Sequence, residues 1–361
     1  MSLCFLVILV FLLGSEAKAG FTPSNGNGST NYNYITWNDF KVDYHDHGRL
    51  LPVGDSVNLD KVIIVVDKNG SGDSFTVQGA VDMVREHNAH RVKIHILPGV
   101  YREKVRIPRN KPYISFIGEQ NRASETVITW HDKAGDRDSD AGDLGTQRSA
   151  SVTVESDFFV ASWITFQNTI VARPGIIGAQ AVALRIAGEK AVFYEARFLG
   201  SQDTLLDEGG THYFYRCFIQ GSTDFVFGNA KSLYQECDIS VVGRGFAVAA
   251  HHRNTAAEET GFSFVNCTVR GTGVVYLGRA WGEYSRIVYS QSDFNIRVKP
   301  RGWDDWRKPS RRKTVMFGEY KCRGRGANRR RRARWSKSLS YSEARPFLDK
   351  NFINGDQWLR L

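Results

Sequence analysis

Six short stretches of this chain share one design: FVASWITF from Phe159, FYEARFL from Phe193, FYRCFIQ from Phe214, YQECDIS from Tyr234, FVNCTVR from Phe264 and YSQSDFN from Tyr289. Aligned, they put Ser162, Ala196, Cys217, Cys237, Cys267 and Ser292 at one position, at intervals of 34, 21, 20, 30 and 25 residues. Each alternates for a few residues and then breaks at Gly, Asn or Asp, which is the look of short strands between turns, and helical periodicity across the region is poor. One structural unit recurring at this spacing, with a small residue at a stacked position, predicts an all-β chain coiled as a parallel β-helix, each coil burying its inner face on the next. A β-sandwich also yields many short strands and is the competing architecture on pattern alone.

The coil model makes local predictions. If Cys217 and Cys237 occupy the same place on successive coils, their backbones lie ~4.8 Å apart, within disulfide range, so a bond between them is expected, with Cys267 and Cys322 free or paired. A short helix over Thr76 to His87, where Val77, Ala80, Val81 and Val84 recur at helical spacing, would cap the open end of the solenoid. Residues 20–58, rich in Asn, Gly and Asp, read as an irregular N-terminal arm, and residues 59–361 as one domain.

The chain opens with an apolar run, Leu3 to Leu13, followed by a small-x-small site at Ala17 to Ala19. The run is too short to span a bilayer, which takes ~20 residues, so residues 1–19 are expected to be a cleaved secretory signal and no membrane association is expected. Asn27, Asn69 and Asn266 begin N-x-Ser/Thr triplets compatible with glycosylation. The net charge of +10 is concentrated: Lys299 to Lys337 holds 16 Lys and Arg against three acids. In a secreted chain such a segment suits acidic polysaccharide rather than nucleic acid, and a solvated loop is the plain alternative.

Two acids stand 21 residues apart, Asp203 in GSQDTLLD and Asp224 in GSTDFVFG. On coils of about that length they become neighbours on one face, where paired carboxylates titrate apart and provide a nucleophile or base beside an acid. Two turn aspartates capping strands would give the same spacing. Gln180 and Gln202 could donate to an oxyanion without carrying charge. In YLGRAWGEYS, Arg279 could hold a carboxylate ionised and Trp281 could stack on a sugar ring.

Taken together, GVYREKV (Gly99 to Val105), QAVAL (Gln180 to Leu184), QDTL (Gln202 to Leu205), GSTDFVFG (Gly221 to Gly228) and LGRAW (Leu277 to Trp281) resemble the plant pectin methylesterases, or pectinesterases, in order and spacing, over the chain from Val62 onward. The resemblance implies a right-handed parallel β-helix that hydrolyses the C6 methyl esters of homogalacturonan to pectate and methanol in the plant cell wall, outside the cell. It implies Asp224 as nucleophile, Asp203 as general acid and then base, Gln180 and Gln202 as oxyanion donors and Arg279 as the partner of Asp224. Thr146, Gln180, Arg279 and Trp281 match substrate-contacting positions, with no cofactor or metal. The expected partners are the methyl-esterified polymer and, as a candidate, a proteinaceous pectin methylesterase inhibitor, around a monomer. Ala280 stands where the family has Pro, and Val226 where it has Ile. The chain resembles the short subclass that lacks an inhibitor-like pro-region.

Rival readings lose their markers. The NTD, GHG and RIK motifs of polygalacturonases do not occur; Asp304 and Asp305 form the only DD pair. Calcium-dependent lyases use clustered carboxylates, whereas here the acids come with glutamines. No G-x-S-x-G elbow occurs. His251 and His252, like His45 and His47, lack further metal ligands at suitable spacing and read as exposed side chains. A wall-binding protein without turnover remains the alternative from a different class, and intact Asp203, Asp224 and Arg279 argue against it.

Overall fold

The computed structural model describes residues 34–42, 62–138, 142–173 and 176–361. The expected signal, Asn27, His45, His47 and most of the N-terminal arm lie outside the described residues. The remainder winds as a parallel β-helix with three strands per coil. One coil runs Ala191–Tyr194, Arg197–Leu199 and Leu205–Asp207; the next runs Thr211–Tyr215, Phe218–Gly221 and Val226–Gly228; the next, Lys231–Gln235, Asp238–Val241 and Ala247–His251. Each strand pairs in parallel with its counterpart one coil away, as in Phe193 with Phe214 and Phe214 with Tyr234. The first face is a sheet of 11 strands, from Val62–Val66 to Lys337–Ser338. The second and third faces join through Thr268–Ala280, a 13-residue strand that runs through the corner between them and pairs on both sides of it.

The corner between first and second faces explains the recurring sequence unit. Glu195, Arg216, Glu236, Asn266, Gln291 and Lys321 all adopt left-handed backbone, with φ between 48° and 55°, a conformation that costs a non-glycine residue about 1–2 kcal/mol. Their amides still join the ladder: Arg216 donates to the Gln235 carbonyl and Asn266 to that of Ser290, both at 3.0 Å. Each corner therefore turns the chain without losing its hydrogen bond. The residue that follows points inward, and it is small, Ala, Cys or Ser, after each of these six corners. Inside, Phe193, Phe214, Tyr234, Phe264 and Tyr289 stack with ring centroids 4.5 to 4.8 Å apart, the offset contact aromatic faces favour.

Two expectations need correction. Ser162 pairs with Tyr194, not Ala196, so the first repeat unit is offset by two residues and Ile164 holds the column position. Cys217 and Cys237 do stack on successive coils, yet both are free thiols, as are Cys267 and Cys322. In an in-register parallel ladder the Cβ atoms stay near the ~4.8 Å strand spacing, beyond the ~3.8 Å a disulfide takes between Cβ atoms. Each thiol instead donates to a carbonyl of the preceding coil: Cys217 to Phe193 at 3.3 Å, Cys237 to Phe214 at 3.4 Å, Cys267 to Tyr234 at 3.3 Å and Cys322 to Tyr289 at 3.4 Å.

The capping helix spans Val77–Met83, shorter than its pattern, because Val84 is already extended. Thr76 accepts from Gly79 N–H at 3.0 Å, and the Glu103 carboxylate takes the Val77 and Gln78 amides at 2.8 and 2.9 Å, so a negative charge meets the positive helix start. Val77, Ala80 and Val81 close the core over the first coil.

The arm is not irregular throughout. Ile35–Thr36 pairs with Leu359–Arg360, and Ile35 and Phe40 are buried with Phe347, Phe352, Ile353 and Trp358 against the outer side of the first face. That cover explains why first-face strands are apolar on both sides. The basic segment is also more ordered than a solvated loop: Arg332 is buried and makes a two-pronged pair with buried Glu319, which Arg329 and the Trp303 indole also reach.

Candidate active site

Asp203 and Asp224 lie two residues before third-face strands on successive coils. Asp203 N–H donates to the Thr223 carbonyl at 3.0 Å and Gln202 forms a parallel bridge with Thr223, which stacks the two acids. Both have left-handed backbone, φ 64° and 48°. Such strain persists where surrounding structure enforces it, and it clusters at functional sites. Their flanking residues explain the enforcement: Leu205, Phe225 and Val226 are fully buried on either side.

Arg279 comes from two coils further on. Its register neighbours are Ala250 and, one coil earlier, Phe227. The guanidinium lies back across the intervening coil and grips Asp224 with two prongs, Nε to Oδ1 at 2.7 Å and Nη2 to Oδ2. Two parallel N–H bonds to one carboxylate give a strong, oriented, charge-assisted pair. Trp306 and Phe246 flank the guanidinium at 3.6 and 5.1 Å from its carbon to their ring centroids. Burial pushes Arg279 down to about 10, while the Asp203 and Asp304 charges hold it up.

Asp203 differs in its electrostatics. Burial pushes its carboxyl up to about 7, and the Arg279 charge only partly opposes this. Near neutral pH, then, one acid is held against a guanidinium and the other retains its proton through much of the range. The environments of the two acids separate their roles.

The glutamines lie on the same face. Ala181 N–H donates to the Gln202 carbonyl at 3.1 Å, which stacks the Gln180 and Gln202 positions. Both side chains are half-buried, and Gln180 Oε1 is buried with no hydrogen-bond partner. Thr146 lies in the one-turn helix Gly145–Arg148; its carbonyl accepts from Ser149 Oγ at 2.6 Å, and that hydroxyl accepts from Val182 N–H at 3.1 Å, which tethers the helix to the stretch just after Gln180. Trp281 packs near Phe227 and His252, its centroid 4.1 Å from the imidazole.

Trp306 and Phe246 escaped the sequence reading. The signal for Trp306 was the WDDW stretch, since Asp304 pairs in register with Arg279 and places Trp306 just beyond it; Phe246 carries no motif. The adjacent histidines are not both exposed as expected. His251 is fully buried, donates to the Ala230 carbonyl at 3.3 Å and accepts from Arg286 N–H at 3.3 Å, and burial pushes it down to about 3.

Comparison with known proteins agrees with this geometry. The pectinesterase family model matches residues 63–356. Pectinesterase QRT1 of Arabidopsis thaliana is 55% identical over 99% of this chain and 97% of its own, and probable pectinesterase 8 of the same plant is 44% identical over 82% of this chain and 76% of its own. The pectin methylesterase from carrot superposes with a TM-score of 0.74 at 35% identity, covering 84% of this chain and 96% of its own. A parallel β-helix with two stacked acids, one of them clasped by an arginine, and these matches over nearly its whole length place the chain in the pectinesterase family of carboxylic ester hydrolases.

Proposed function

We propose that the protein removes the C6 methyl esters of homogalacturonan by covalent catalysis at Asp224. The observation that carries this reading is the two-pronged Arg279 clasp on Asp224 beside a buried Asp203 whose carboxyl is pushed up to about 7. Arg279 keeps Asp224 ionised and aims one oxygen at the ester carbonyl. Attack forms a C–O bond from Asp224 to the ester carbon and moves the carbonyl electron pair onto oxygen, where the Gln180 and Gln202 amides meet the charge.

Collapse expels the methoxy group, which takes the Asp203 proton and leaves as methanol. Asp203, now a carboxylate, removes a proton from water; the resulting hydroxide attacks the anhydride, and Asp224 departs as carboxylate. Product and enzyme are both restored, with one ester converted to one acid and one methanol. Trp281 and Thr146 would line the path of the polymer, with Trp281 stacking on a sugar ring. The expected setting is the plant cell wall, reached by secretion; among the described residues no helix is long and apolar enough to cross a membrane.

Methanol release from methylated pectin tests the reading. Asp224→Asn is nearly isosteric but cannot form the anhydride, so it should lose several orders of magnitude in turnover with its melting transition intact. A folded variant that keeps more than about a tenth of wild-type turnover would overturn the assignment.

A further inference from the structure

A second cavity, of about 390 Å³, lies at the opposite end of the third-face strands, where the chain turns toward the first face beneath the C-terminal segment. From Asp224 to Gly228 at that end is four residues, about 13 Å at ~3.3 Å per residue, so this site is separate from the acid pair. Lys231, Arg253 and Arg286 line it, with Phe347 and Phe352 on the wall contributed by the C-terminal segment.

The backbone is built to open it. Lys231, Gly261 and Arg286 occupy one register position on three successive coils. A Cβ on Gly261 would stand 2.8 Å from Arg286 Cδ, so only glycine lets the Arg286 stem lie in that notch. Two cations are thus presented about two strand spacings apart, ~10 Å along the backbone, with no side chain between them.

Glu258 and Glu259 share the lining, so three cations face two carboxylates there. Arg253 donates to the carbonyls of Glu258 at 2.6 Å, Tyr284 at 3.3 Å and Ala256, none of which is charged. Arg286 Nε is buried with no hydrogen-bond partner. Glu258 is occupied by its own loop, accepting from Asn229 at 2.7 Å, Asn254 N–H at 3.2 Å and Thr255 N–H at 3.0 Å. Glu259, 86% exposed, pairs with Lys231 at 3.6 Å, and its charge partly opposes the lowering of Arg286. Arg253 and Arg286 each carry positive charge in one partly dry site, and the neighbouring Arg253 adds to burial in pushing Arg286 down. An anion between them would relieve both costs.

We propose that this cavity binds a carboxylate of a de-esterified uronate chain, at a site distinct from the one where esters are cleaved. The inference rests on the pectinesterase reading for its source of carboxylate, since each turnover makes one on the polymer. Phe347 and Phe352 are buried and only close the wall, so recognition rests on the cations, and the carboxylate that meets them arrives on a sugar because the reaction makes it there.

Calorimetric titration of the full chain with a fully de-esterified galacturonate trimer tests it, with inorganic phosphate as a parallel probe. The wild type should show two classes of site for the trimer. Arg286→Gln and, on another coil, Lys231→Gln should each weaken one class at least tenfold, keep the melting transition and leave methanol release from a short methylated oligomer unchanged. Unaltered trimer binding in both folded variants would overturn the proposal, and so would variants that lose phosphate binding alone. Absence of methanol release from the wild type would instead strike the functional reading, and is measured separately.

Discussion

Asp203 and Asp224 sit on adjacent coils with the same backbone conformation, yet their surroundings make them different acids. Asp224 has a guanidinium on both oxygens; Asp203 has burial without a bonded cation. For Asp203 the folded-state pKa, about 7, lies above its ordinary value of 3.8. The native state therefore holds a proton that the unfolded chain has released, and stability falls as pH rises from about 4 through 7. Asp203→Asn should then melt higher than wild type at pH 8, by up to an order of ~4 kcal/mol at 1.36 kcal/mol per pKa unit, and the two should converge near pH 4. Thermal melts across that range check the sign. If Asp203 donates its proton to the leaving methoxy group, turnover should fall on the alkaline side with a midpoint near 7, as initial rates of methanol release would show. Arg279→Lys retains charge but not the two-pronged clasp, and should lower turnover on the order of a hundredfold; near-normal rates would reduce Arg279 to packing.

At the scale of the element, the repeated strand-corner-strand unit sets both the inner stack and the fate of the cysteines. The corner residue takes the left-handed conformation so that the next residue can point inward, and each thiol in that column reaches back to the carbonyl one coil before. Cys217, Cys237 and Cys267 are almost wholly buried, and burial pushes the Cys237 and Cys267 thiols well up and Cys322 to about 12. Without thiolate character they should be inert. A chain lacking residues 1–19 should show no fast reaction with a thiol reagent when native and four equivalents once unfolded without reductant. Fewer than four would mean that a disulfide forms despite the ladder geometry.

For the whole molecule, the basic segment divides into structural and free charge. Arg332 and Arg329 hold Glu319 at the C-terminal end of the solenoid, whereas Arg330, Arg331 and Arg334 are exposed. Arg332→Gln should destabilise by about 3–5 kcal/mol, since it leaves a buried carboxylate short of its main partner. Replacing Arg330, Arg331 and Arg334 with Gln should leave the melting transition alone and make elution from immobilised de-esterified pectin occur at lower salt. Elution at unchanged salt would mean that these arginines are merely solvated.

The coil repeat, the capping helix and the stacking of Asp203 with Asp224 were legible in the sequence because each depends on local period: alternation within a strand, helical spacing in Val77, Ala80 and Val81, and a 21-residue interval close to one coil. What the sequence could not decide lies between coils. The two-residue offset of Ser162 depends on how two strands slide, and a shift of two keeps every side chain on its face and leaves no trace in the pattern. Arg279 reaches Asp224 across an intervening coil, and Trp306 covers the guanidinium from the coil beyond; both depend on through-space packing of residues 55 and 27 positions from Arg279 in sequence. Tertiary structure alone set the free thiols, the buried His251 and the raised Asp203 carboxyl, because Cβ separation and desolvation are properties of the assembled coils and not of any stretch of chain.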